Sequence, residues 1–113
     1  APDALRAFAR RIPEFRAALP EKKLCAEVDS PEDALLLARA GIDIVQCEKF
    51  PCSLLAETVR ELRAARPGIL VLAAGGINGD NAADYAASGA DELVTTWPYF
   101  GRPADIKVRM TAL

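Results

Sequence analysis

"LVLAAGGINGDNAADYAASGADELVTTW", Leu70 to Trp97, decides how the chain folds. An apolar run ends abruptly at Gly75-Gly76. A short helical pattern follows, and a second apolar run ends in Thr95-Thr96. Two apolar runs joined through a glycine turn and a helix read as strand, helix, strand, and such a connection makes the two strands parallel.

Working outward, the same unit recurs upstream. "KKLCAEV" (22–28) and "IDIVQCE" (42–48) read as strands, and "ILVLAA" (69–74) and "DELVTT" (91–96) as two more. "SPEDALLLARAG" (30–41) has a full set of helix signals: Ser30 as N-cap, Pro31 at the first helical position, Asp33 at the third and Gly41 as stop. "SLLAETVRELRAAR" (53–66) predicts a helix capped by Ser53. "NGDNAADYAASG" (78–89) predicts a short one capped by Asn78. At the start, "DALRAFARRIPEFRAAL" (3–19) spaces Leu5, Phe8, Ile12, Phe15 and Leu19 helically, with Pro13 breaking or kinking the run. Strands alternating with helices predict an α/β chain of parallel β/α units. The spacing suits a TIM-like (β/α) barrel, but four strands cannot close a barrel of eight. Either the sheet is open or residues 1–113 are the second half of a barrel whose first half lies elsewhere. The unpaired apolar edges of a lone half favour the latter.

The totals narrow the function classes. Of 113 residues, 51% are hydrophobic and 27% charged, which predicts a soluble globular protein. A net charge of −2 gives no field that would favour nucleic acid or an acidic membrane. Without histidine, the segment has no His-based acid/base or metal chemistry. No apolar run approaches the roughly 20 residues of a membrane span. Three cysteines without zinc-like spacing (Cys25, Cys47 and Cys52) predict reduced thiols buried as small hydrophobes in a cytoplasmic protein.

Parallel strands should be nearly continuously apolar. Glu27 and Glu48 break that rule at the C-terminal ends of the first two strands, on the rim where barrel active sites are built. Paired there, two carboxylates call for a divalent metal, a substrate diol or a neighbouring Lys; otherwise they are solvated strand ends. Gly75 and Gly76 let backbone approach a ligand, so N–H groups near Gly76, Ile77 and the helix start would face an anion, helped by the helix dipole. Thr95 and Thr96 would add donors from the last strand. Lys49 lies on the same rim, within reach of a phosphate or of Glu48, and Asn78 opens the helix beside it. Lys22 and Lys23 precede the first strand, so they belong at the opposite end.

Taken together, "AEVDSPEDA", "IVQCEKF" and "AAGGINGDNAADYAASGADELVTT" resemble the C-terminal half of quinolinate phosphoribosyltransferases, the carboxylating nicotinate-nucleotide pyrophosphorylases. "CEKF", "AAGGIN" and "TTWPYFGRPADIKVR" are similar to the ModD-type pyrophosphorylases associated with molybdenum transport. The resemblance runs from about Pro20 to Arg109. It implies a barrel fused to an N-terminal α/β sandwich, and homodimers whose sites are completed across the interface. The implied reaction transfers phosphoribosyl from phosphoribosyl pyrophosphate to a pyridine carboxylate or related acceptor, with Mg²⁺ as cofactor and pyrophosphate released.

By the same resemblance Glu27 and Glu48 are the catalytic and metal-binding carboxylates. Gly75 and Gly76 match the glycines that bind the 5-phosphate, and Thr95 and Thr96 fall at the family's phosphate segment; Ile77, from its place in the turn, joins them as a phosphate-binding candidate, and Lys49 and Asn78, from their place on the rim, are the candidates for substrate contact. Residues 104–113, which alternate in "DIKVRM", would be a tail strand pairing with the N-terminal domain. The chain departs from the family pattern at Glu48, where Asp is usual, and at Ala74, where Ser is frequent. The family's upstream Arg, His and Lys cluster for the acceptor is not in these residues. The alternative is a non-catalytic or other phosphosugar-binding barrel module linked to molybdenum transport.

Overall fold

The computed structural model describes residues 2–113. Four strands, β1 (Cys25–Val28), β2 (Ile44–Glu48), β3 (Leu70–Ala74) and β4 (Glu92–Val94), form one sheet in the order β1-β2-β3-β4, with every neighbouring pair parallel. Helix α1 (Pro2–Ala18) precedes the sheet. Helices α2 (Pro31–Ala40), α3 (Cys52–Ala65) and α4 (Ala82–Ala87) make the crossovers, and a single 3₁₀ turn (Trp97–Phe100) follows β4. A doubly wound sheet reverses strand order at its centre and so covers both faces. Here the order never reverses, which is the progression of a barrel wall.

The consequence shows in burial. Val28, Val45, Cys47, Val71 and Ala73 point to the helices and are buried with Ile12, Leu37, Leu55 and Leu62. The alternate residues make an open face in three rows: Cys25, Ile44 and Leu70; Glu27, Gln46, Leu72 and Glu92; then Glu48, Ala74 and Val94. Leu70 and Val94 remain about 40% exposed there. Glu27 and Glu48 share this face, as alternation predicts, but Glu27 lies one row lower.

Local chemistry explains the elements and corrects several expectations. Ser30 Oγ accepts the Asp33 N–H at 3.2 Å, and Gly41 ends α2 at φ 93°. Helix α1 runs unbroken through Pro13, which is exposed and removes a single ladder donor. Helix α3 starts two residues earlier than a Ser53 cap predicts, with Pro51 at its cap position and no side-chain cap, so Ser53 is inside it. Asn78 does not cap α4 either. Its Oδ1 accepts the N–H groups of Asp80 and Asn81 in an Asx turn, and the helix begins after Asn81. Only Cys47 is fully buried; Cys52 is half-buried and Cys25 exposed. Residues 102–113 form no helix or strand among the described residues, and the N-terminal domain with which the tail strand was expected to pair lies outside them.

At the N-terminal ends of the strands a charged motif repeats. Asp43 accepts the Leu24 N–H at 2.9 Å and pairs with Arg16 at 3.2 Å, while Arg16 also donates to the Gly41 carbonyl. Two β/α units later, Asp91 accepts the Val71 N–H at 2.8 Å and pairs with Arg63 at 3.0 Å, and Arg63 donates to the Gly89 carbonyl. A Gly-x-Asp after α2 and again after α4 thus ties a new strand to the previous one, clamped by an arginine from the helix before. Lys22 and Lys23 lie exposed at this end, as expected.

Candidate functional site

The C-terminal ends of β2, β3 and β4 enclose a cleft of about 520 Å³. Its floor is the turn Ala74 to Asn78, and its walls include Glu48, Thr96 and Trp97. Most of the predicted site therefore converges on one opening, with two exceptions: Glu27 and Lys49 do not line it.

The two glycines of the turn have different causes. Gly75 (φ 91°) is pressed against the strand-end loop after β2: a Cβ there would lie 2.5 Å from Lys49 Cγ, 2.8 Å from Glu48 Oε1 and 2.9 Å from Lys49 N. It lets the turn and Glu48 pack side by side. Gly76 (φ 73°) has nothing within 4 Å of that position, so its bare backbone opens onto the cleft. Among the described residues the N–H groups of Gly76 and Ile77 donate to no protein acceptor. The Thr96 hydroxyl is also uncommitted. Thr95 is not: its Oγ1 donates to the Ile77 carbonyl at 2.6 Å and accepts the Trp97 N–H at 3.1 Å. The dipole contribution expected from the following helix is absent in practice. Helix α4 has six residues and starts five positions beyond Ile77, outside the range of a helix-end effect.

Glu48 stands at the cleft edge with Lys49 Nζ 3.9 Å away. Lys49 adopts φ 58°, unusual for a residue with a side chain, and is held by its N–H donating to the Ala74 carbonyl at 2.8 Å. The loop beyond is anchored where Tyr85 Oη donates to the Phe50 carbonyl at 2.9 Å. Glu27 accepts from Gln46 Nε2 at 3.0 Å and lines a separate depression with Asp29 and Asp33. Carboxylates are the hard oxygen donors that Mg²⁺ takes, but among the described residues no three acidic or cysteine side chains converge. Glu48 and Glu27 face different depressions, so the described residues form no preformed metal cage. Neither Cys47 nor Cys25 is poised as a nucleophile: burial pushes Cys47 to about 11 and raises Cys25 as well.

Four participants were not foreseen. Gln46 occupies Glu27, Glu92 adds a third carboxylate to the open face, Asn81 ties the turn, and Trp97 walls it. Asn81 Nδ2 donates to the Gly76 carbonyl at 2.9 Å and its Oδ1 accepts the Asn78 N–H at 2.8 Å. The spacing Gly-x-Asn-Gly-x-Asn from Gly76 was the available signal, since Asn side chains close such turns.

The comparisons with known proteins bear on the family and the fold. The family model described as quinolinate phosphoribosyl transferase, C-terminal domain, matches residues 4–109. ModD of Escherichia coli O157:H7 is 33% identical over 99 residues, covering 88% of this chain and 35% of its own. A protein named for carboxylating nicotinate-nucleotide pyrophosphorylase in Methanothermobacter thermautotrophicus is 40% identical over 74 residues, covering 64% of this chain and 26% of its own. Among solved structures, the nicotinate-nucleotide pyrophosphorylase from Francisella tularensis superposes with a TM-score of 0.66 at 19% identity, over 75% of this chain and 30% of that one, a likeness of fold. The chain thus spans about a third or less of the length of these relatives.

Proposed function

The chain belongs to the quinolinate phosphoribosyl transferase family, as its C-terminal domain, and from that premise we propose that it supplies the phosphoribosyl-binding half of a phosphoribosyltransferase site. The observation that carries the reading is the cleft at the strand tips, where unpartnered N–H groups of Gly76 and Ile77 and the Thr96 hydroxyl lie across from Glu48. Bare amides and a hydroxyl in such a concavity suit the oxygens of a phosphate monoester. The 5-phosphate of a phosphoribosyl group would sit on the turn with its sugar toward Glu48.

As the bond to diphosphate lengthens, positive charge develops at the anomeric carbon, and a fixed carboxylate facing it lowers the barrier. Glu48, at the cleft edge, would take that role, and no protein nucleophile is needed. Glu48 and Glu27, with the substrate's own diphosphate, would hold Mg²⁺, which when bound neutralises the departing charge. The acceptor is a pyridine carboxylate or a related ring, bound by residues outside this stretch, in a homodimer. The position of Glu27 favours a second reading, a phosphosugar-binding module without transfer: it lies outside the cleft and is occupied by Gln46.

Calorimetry on the intact protein separates the two. Transfer chemistry requires Mg²⁺-dependent binding of phosphoribosyl pyrophosphate. It also requires at least about a tenfold loss of turnover in Glu48→Gln and in Glu27→Gln, roughly 1.4 kcal/mol of barrier each. Metal-independent binding of ribose 5-phosphate, unaffected by either substitution, would leave only the binding module.

A further inference from the structure

We propose that Trp97 is a positioning residue for the anion-binding turn, with Gly79 as its seat; the proposal rests on the phosphate reading above. The indole lies directly on Gly79, where an added Cβ would be 2.7 Å from Trp97 Cη2 and 2.8 Å from Cζ2. Gly79 is outside the left-handed region, unlike Gly75 and Gly76, so its backbone does not require glycine. What excludes a side chain there is the ring.

The rest of Trp97 is tied to the same turn. Its N–H donates to Thr95 Oγ1, and that hydroxyl donates to the Ile77 carbonyl. Ring and backbone therefore grip the segment 77–79 from the β4 side, while Asn81 grips Gly76 and Asn78 from the α4 side. The turn needs such a grip, because three of its five residues from Gly75 to Gly79 are glycine. Glycine loses the most conformational freedom on being fixed, and a turn left loose must be ordered each time it receives an anion. Trp97 remains 56% exposed beside the cleft. A large aromatic held half in water against a bare glycine serves the turn more than the core. The ligand class is the phosphate-monoester end of the substrate, whose affinity depends on the turn being set in advance.

The test uses the intact protein with ribose 5-phosphate as probe, followed by calorimetry and by tryptophan emission with the signal of Trp97→Phe subtracted. Binding by the unmodified protein should change Trp97 emission saturably. Gly79→Ala, which displaces the ring without touching the ligand, and Trp97→Ala should each weaken affinity at least about tenfold, the order of re-fixing one residue's backbone. Trp97→Phe, which restores a flat ring, should stay within about threefold. The double variant Gly79→Ala/Trp97→Ala should bind no worse than the weaker single one, since both remove the same contact. In turnover, the KM for phosphoribosyl pyrophosphate should rise with kcat little changed. If the unmodified protein binds no phosphate ester, the phosphate reading itself fails. If it binds, but both single variants bind equally well or their effects add, the role of Trp97 is overturned and the turn stands as an anion site without it.

Discussion

Gly75 and Gly76 are adjacent and both have positive φ, yet they answer to different forces, and substitution should separate them. At Gly76 an Ala would meet no neighbour, so it carries only the left-handed backbone penalty of about 1–2 kcal/mol. At Gly75 the same penalty is joined by a collision with the Lys49 backbone nitrogen, which cannot swing aside, adding about 1–3 kcal/mol. Denaturant unfolding should therefore rank Gly75→Ala below Gly76→Ala by at least about 1 kcal/mol. Ribose 5-phosphate binding should rank them the other way wherever both fold. Equal stabilities would mean that the Lys49 loop yields to the new methyl. The sequence shows two glycines after a strand, which is enough to place the turn. It cannot say which one faces the ligand, because that depends on Lys49 approaching from β2, 26 positions earlier. Glu27 shows the same dependence: its face was legible by alternation, but its row and its bond to Gln46 follow from strand register.

At the scale of elements, helices and strands were legible wherever local chemistry dominates. Ser30, Pro31 and Gly41 mark α2 unambiguously, and the apolar runs mark β2 and β3. The starts of α3 and α4 were not legible, since Ser53 and Asn78 are competent caps and only the approach of neighbouring loops decides otherwise. The two Asp clamps were missed because their arginines are more than 25 positions away. They make a sharp prediction. Burial pushes the Asp43 carboxyl up, but the Leu24 N–H and Arg16 outweigh it and hold the group below its ordinary value. A carboxylate with a lowered folded-state value adds stability that is present above its unfolded value, near 3.8, and is lost as pH falls through the folded value. Asp43→Asn should cost about 1–3 kcal/mol at neutral pH, as the charged hydrogen bond to Arg16 is lost. It should also flatten the acid limb of the stability curve below about pH 4. Urea midpoints measured from pH 7 to pH 2.5 check both. A variant whose acid limb matches the parent's would show that other carboxylates set it.

The whole molecule is a wall with one finished side. Composition and periodicity pointed to a parallel barrel-type sheet, and the unreversed strand order agrees. They did not show which apolar residues face helices and which face open space, because Leu70 and Val71 look alike in a run of aliphatics. In the structure Val71 is fully buried and Leu70 is 41% exposed, on a bare face shared with Leu72 and Val94. The relatives are about two and a half times as long, and in a longer barrel this face would point inward. A single substitution can decide whether something covers it. Leu70→Lys places a charge where the present structure has solvent, so in the 113-residue chain it should cost less than about 1 kcal/mol. If the intact protein closes a barrel over the same residue, the ammonium is buried without a partner among side chains packed for leucine, and the cost should reach at least about 3 kcal/mol. Thermal and urea unfolding of both forms, with and without the substitution, measure the difference directly. A small cost in both would mean that the face stays open in the intact protein, and the cleft at its upper edge would then have to bind phosphate esters without a closed barrel around it.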